Sequence, residues 1–102
     1  MKTLAEICAQ LATGQFEFSR HAFRRAIERN ISEAEIRQAG RRARMIEDYA
    51  DDKYTPSCLL LGFTEDGRPV HLQVSRADAE LVRIITPYEP NPDEWYNYSE
   101  RR

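Results

Sequence analysis

Two histidines are the side chains of this 102-residue chain that titrate nearest to neutral pH, and each has basic or hydroxyl-bearing company. His21 stands in "FSRHAFRRAIERN", residues 18–30, among Arg20, Arg24, Arg25 and Arg29. His71 stands in "PVHLQV", and Thr86 and Tyr88 close the later stretch "LVRIITPY". Histidine serves as either acid or base, and arginine grips phosphate with a fixed fork of donors. Such a set suits metal-free cleavage of RNA. A base takes the proton of the 2′-hydroxyl, an acid protonates the leaving 5′-oxygen, and cations meet the charge on phosphorus. The same residues equally suit an anion site that holds its ligand uncut. His21, Arg25, His71, Thr86 and Tyr88 are therefore the candidate catalytic set, with Arg29, Arg41 and Arg42 as candidate anion-binding residues. The chain has no metal-ligand cluster, P-loop, dinucleotide fingerprint or cysteine or serine nucleophile motif, so neither a metal nor a cofactor is expected.

The elements that must position these residues follow from period and punctuation. "TLAEICAQLATG" spaces Leu4, Ile7, Cys8 and Leu11 as a helix, with Thr3 as N-cap and Gly14 as its stop. "QFEFS" is a short extended piece with Phe16 and Phe18 on one face. Ser19 caps a second helix running to about Arg29, and Asn30 suits the left-handed turn that ends it. On a wheel of this helix Ala22, Phe23, Ala26 and Ile27 gather on one side, while His21, Arg25 and Arg29 form a ridge opposite. His21 also lies in the first turn, where free N–H groups favour an anion. "ISEAEI" reads as a capping box, Ser32 with Glu35, opening a third helix that runs to about Arg42.

Beyond Ala43 the period changes. "RMIEDY", "SCLLLGFT", "PVHLQVSR" and "ELVRIITPY" read as strands, joined by turn clusters such as "TEDGRP". In the third of these, Val70, Leu72 and Val74 share one face, and His71 and Gln73 the other. In the last, strict alternation puts Val82, Ile84, Thr86 and Tyr88 on a common face. Short connections favour an antiparallel meander. The expected class is α+β, with about three N-terminal helices on one face of a roughly four-stranded antiparallel sheet. One domain spans 1–102: residues 1–44 mainly helical, 45–90 the sheet, and 91–102 a tail in which Trp95 packs back and the last residues fray.

Charge is uneven. The formal net charge is −2, which argues against a broadly basic nucleic-acid binder, yet residues 20–44 hold eight arginines against three glutamates. No apolar run is long enough to span a bilayer, and the N-terminus makes a poor signal peptide. A cytoplasmic protein with no membrane partner is expected, with Cys8 and Cys58 as reduced core residues. The aromatics of "NPDEWYNY" are a candidate contact with another protein or, in a homodimer, with a second copy of the chain.

The combination "FEFSRHAFRRAIERNIS", "MIEDYADDKYTPSCLLLG", "GRPVHLQV" and "RIITPYEPNPDEW" resembles the bacterial domain-of-unknown-function family 4258 over nearly the full length. The positions typical of that family here are His21, Arg25, Arg29, Gly62, His71, Thr86, Tyr88, Pro90 and Trp95. Pro87 departs from the aliphatic residue expected between Thr86 and Tyr88, and hints at an edge strand or a strand end. The resemblance implies a RelE-like or barnase-like toxin fold and a metal-independent ribonuclease acting on RNA. It further implies a cognate antitoxin protein as partner. Under it, His21, Arg25 and His71 would line the active site, with Thr86 and Tyr88 in support.

Overall fold

Helix caps written in the sequence organise the first third of the computed structural model, which describes residues 1–102. Thr3 caps α1 (Leu4–Ala12), accepting from the Glu6 N–H, and Gly14 takes a positive φ of 77° just past its end. Ser19 caps α2 (Arg20–Glu28) through the Ala22 N–H, and Asn30 turns the chain at φ 53°. The Ser32–Glu35 capping box opens α3 (Glu33–Arg41) with both of its hydrogen bonds formed. Each such cap is worth about 1 kcal/mol, so the helix starts are set by local chemistry.

The sheet differs from the expected four antiparallel strands. It has five, with one parallel pair. Phe16–Phe18 form β1, followed in chain order by β2 (Arg44–Tyr49), β3 (Ser57–Phe63), β4 (Pro69–Ser75) and β5 (Val82–Tyr88). Their order across the sheet is β1-β5-β4-β3-β2, and β1 runs parallel to β5 with Phe16 opposite Val82 and Phe18 opposite Ile84. Three residues are too few to show a period. The crossover that a parallel pair needs is here most of the chain, which no reading of short connections reveals. Strands β2 to β5 form the antiparallel meander, and the Gly67 turn (φ 84°) joins β3 to β4.

All three helices lie on one sheet face, and Ile7, Leu11, Ile36, Leu60, Val70, Leu72, Val74, Val82 and Ile84 build the core between the layers. Burying each such side chain contributes about 1.5–3 kcal/mol. Two glycines let backbones meet. A methyl group on Gly62 would fall 1.9 Å from the Ala39 carbonyl oxygen, so α3 rests directly on β3. One on Gly40 would fall 2.4 Å from Leu11 Cβ, so α1 crosses α3 there. Cys58 lies in the core with Cys8 packed against it, and both are free thiols.

Two further expectations change. α2 buries only Ala22 and Ala26, while Phe23 and Ile27 remain exposed. Small residues bring this helix close to β5, and the larger pair is left on its flank. The tail does not fray but closes a two-stranded hairpin, β6 (Trp95–Tyr96) with β7 (Glu100–Arg101), fastened by a bond from Arg102 N–H to the Glu94 carbonyl. No helix is long and apolar enough to cross a membrane.

Candidate functional site

The sheet face turned away from the helices carries the polar side chains, and a bulge decides which of them meet. Along β4 and β5, His71 lies opposite Tyr88, Gln73 opposite Thr86, and Val74 opposite Ile84, leaving Ile85 as an extra residue. That one residue reverses the alternation. Val82 and Ile84 enter the core, whereas Thr86 and Tyr88 face the other way beside Gln73 and His71. Strict alternation had put all four of these β5 residues together. Pro87 meets Leu72 on the core face, and its carbonyl accepts from Arg29 Nη1 at 2.9 Å. A strand residue points its N and O to the same side, so the missing N–H faces α2 and costs the ladder nothing. β5 is an interior strand here, although β1 accompanies it only over Val82–Ile84.

The C-terminal hairpin covers one half of this face. His71 is fully buried beneath it, edge-on to Trp95 at 4.6 Å and to Tyr88 at 5.1 Å. Its Nε2 lies 2.6 Å from the Tyr98 carbonyl oxygen and its Nδ1 3.0 Å from the Tyr88 hydroxyl. A carbonyl can only accept, so Nε2 carries the proton, and neutral Nδ1 then accepts from Tyr88. Burial pushes the His71 pKa below its ordinary value, against the pull of the Tyr98 carbonyl, and pushes the Tyr88 phenol up to about 12. Outside this cluster Glu47 accepts from Arg101 at 2.8 and 3.1 Å and from the Tyr49 hydroxyl. Arg101 lies over the Trp95 ring at 4.7 Å. These donors, Arg101 first, hold the Glu47 carboxyl below its usual range.

The other half is open. A cavity of about 460 Å³ runs between the start of α2, the middle of β4 and β5, and the loop after β2. His21 and Thr86 both line it, together with Ser19, Asp52, Tyr54, Thr55, Gln73, Ser75, Arg83 and Ile85. Gln73 Nε2 donates to Ser57 Oγ at 3.3 Å, and the hydroxyls of Thr55 and Ser75 are 3.3 Å apart. Arg83, the one guanidinium lining this cavity, pairs with Glu17 at 3.2 Å. Tyr54 is 88% exposed at the rim.

The remaining arginines disperse. Arg25 is held by Glu28 at 3.0 Å and lines none of the cavities. Arg29 shares a second cavity, of about 490 Å³, with Tyr88, Arg68, Glu89, Asn91 and Glu94. Arg68 ties that region together, donating to Glu89, Glu35 and the carbonyls of Arg29 and Asn30. Arg41 and Arg42 flank a third cavity beside Phe63 and Glu65 at the end of α3. The structure thus brings together His21 with Thr86, and His71 with Tyr88 and, across one wall, Arg29. It does not place the two histidines in one cleft. No three His, Cys, Asp or Glu side chains stand close enough together to hold a metal ion.

Asp52 and Tyr54 escaped the sequence reading because "ADDKYTP" has no period, and only the β2–β3 connection carries it across to α2. Tyr98 contributes a carbonyl, which no side-chain pattern announces.

A family model described as Domain of unknown function (DUF4258) matches residues 18–89. The chain belongs to this family. The DUF4258 segment contains His21, Arg25, Arg29, His71, Thr86 and Tyr88, whereas α1 and the β6–β7 hairpin that seals His71 lie outside it. No curated protein and no solved structure matches the chain.

Proposed function

We propose that this domain lays a single-stranded RNA in the open cavity and cleaves it without a metal ion, with His21 and Asp52 moving the protons. The observation that carries this reading is that His21, Asp52 and Thr86, drawn from a helix start, a loop and a distant strand, line one cavity with Gln73 and an exposed tyrosine. The Asp52 carboxylate accepts the proton of a ribose 2′-hydroxyl, whose oxygen attacks phosphorus. His21, as imidazolium, gives its proton to the 5′-oxygen as that bond breaks. The products are a 2′,3′-cyclic phosphate and a 5′-hydroxyl end. The first-turn N–H groups of α2 favour the phosphate beside His21, Tyr54 offers a ring for base stacking, and Gln73 and Thr86 offer hydrogen bonds. His71 and Tyr88 act as positioning residues that fix β4 against β5 beneath the hairpin.

The test is incubation of the purified chain with end-labelled single-stranded RNA in EDTA. Cleavage to cyclic phosphate is expected, and none with the 2′-deoxy strand. His21→Gln and Asp52→Asn should each slow it by about 100-fold or more. Because both residues are exposed, each change should leave unfolding free energy within about 0.5 kcal/mol. Cleavage that survives both substitutions overturns the assignment. Salt-sensitive binding without cleavage points instead to a module that holds an anionic strand.

A further inference from the structure

α2 turns its two largest apolar side chains to solvent. Phe23 is 56% and Ile27 63% exposed, one helical turn apart on the same flank. Phe18, half-buried against the core, extends the row with its outer edge, its ring meeting Phe23 edge-on at 5.9 Å, and half-buried Phe16 meets Phe18 at 5.7 Å. Beside Ile27 lies a cavity of about 320 Å³ walled by Ala26, Ile31 and the Asn30–Ser32 turn. Scattered exposed apolar residues are ordinary, whereas a row of neighbours ending in a shallow apolar depression marks a contact surface. Its border is basic. Arg20 and Arg24 follow Phe23 and Ile27 around the wheel, both are exposed, and neither takes part in any ion pair of the structure. Glu28, the one carboxylate of α2, is already held by Arg25.

We infer that this row docks an acidic amphipathic helix of a partner protein. The partner's apolar stripe lies along Phe18, Phe23 and Ile27, one of its side chains enters the cavity beside Ile27, and its carboxylates meet Arg20 and Arg24. Charge decides the occupant. A second copy packing α2 antiparallel to its own equivalent would set the Arg20–Arg24 border against the same border, like charge on like. Nucleic acid would satisfy the arginines but leave Ile27 and its cavity with nothing to bind. His21 lies on another flank of α2, so docking here is separable from events in the open cavity.

The probes are two helical peptides of about 18 residues sharing one leucine stripe, with Glu in one and Lys in the other at every polar position. Anisotropy titration of the full chain should show binding of the Glu peptide, weakening with salt, and none of the Lys peptide. Phe23→Asp and Ile27→Asp should each weaken binding about tenfold or more, as should Arg20→Glu combined with Arg24→Glu. Circular dichroism spectra should keep their shape, and thermal midpoints should fall only slightly, most for Phe23→Asp, which loses the edge-on contact with Phe18. Three results overturn the inference: equal binding of both peptides, binding indifferent to the Phe23 and Ile27 changes, or displacement of the Glu peptide by single-stranded RNA. Self-association of the free chain that Phe23→Asp abolishes would assign the face to a second copy instead.

Discussion

His21 and His71 both border the sheet face that the helices leave free, yet one stands in solvent and the other is sealed with both nitrogens occupied. The strands beneath them do not account for this, since β4 and β5 floor both halves. What separates them is the short hairpin that carries Trp95 and Tyr98 over one half and stops before the other. A histidine's exposure in this fold is thus decided by chain laid on afterwards, not by the strand or helix that bears it. The sealed one ties β4 to β5 through the Tyr88 hydroxyl and to the hairpin through the Tyr98 carbonyl.

Three experiments would break or sharpen that contrast. Trp95→Ala should have the largest effect, about 3–5 kcal/mol of unfolding free energy in urea, because it removes the buried ring that lies edge-on to His71. A loss below about 1 kcal/mol would mean that the hairpin is not the seal. Tyr88→Phe should cost less, about 1–3 kcal/mol, by leaving buried Nδ1 without its donor. Its imidazole resonances should move while those of His21 stay in place.

The smallest effect lies on the pH axis. Above about pH 6.5 the His71 ring is neutral in both folded and unfolded chains and adds no slope. As pH falls through that value the unfolded chain takes up its proton first, because burial holds the folded pKa lower. Stability should therefore decline between about pH 6.5 and the depressed folded pKa, and His71→Gln should flatten that part of the profile. The lowered carboxyls of Glu35 and Glu47 also lose stability as pH falls, but only below their ordinary value of 4.5. An unchanged slope in the variant would show that His71 is not the group responsible.

Legibility in the sequence tracked the range of the interaction. Thr3, Ser19, Ser32, Asn30 and Gly67 act on neighbours within a few residues, and each was placed correctly by its own chemistry. The face of His71 followed from alternation along β4, but the face of Thr86 and Tyr88 did not, because nothing local marks Ile85 as a bulge. On the wheel Phe23 and Ile27 share a side with Ala22 and Ala26, yet only the alanines are buried. Only the close approach of α2 to β5 shows that alanines were wanted there. As for the candidate site, His21 and Thr86 were both singled out, but their shared cavity, with Asp52 in its wall, depends on topology that period and composition do not encode.

The parallel pairing of β1 with β5 also sets an order of events. Glu17 finds Arg83 66 residues later, and the same pairing anchors the chain on both sides, through Val82 N–H to the Gln15 carbonyl and Ser19 N–H to the Ile84 carbonyl. Closing so large a loop before its contacts form is entropically unfavourable, so the β2–β5 meander should condense first and β1 join late. During synthesis the first strand made must wait for the last strand of its sheet. His21 follows that strand directly, so the wall that it gives to the open cavity should be in place only once β1 has joined β5.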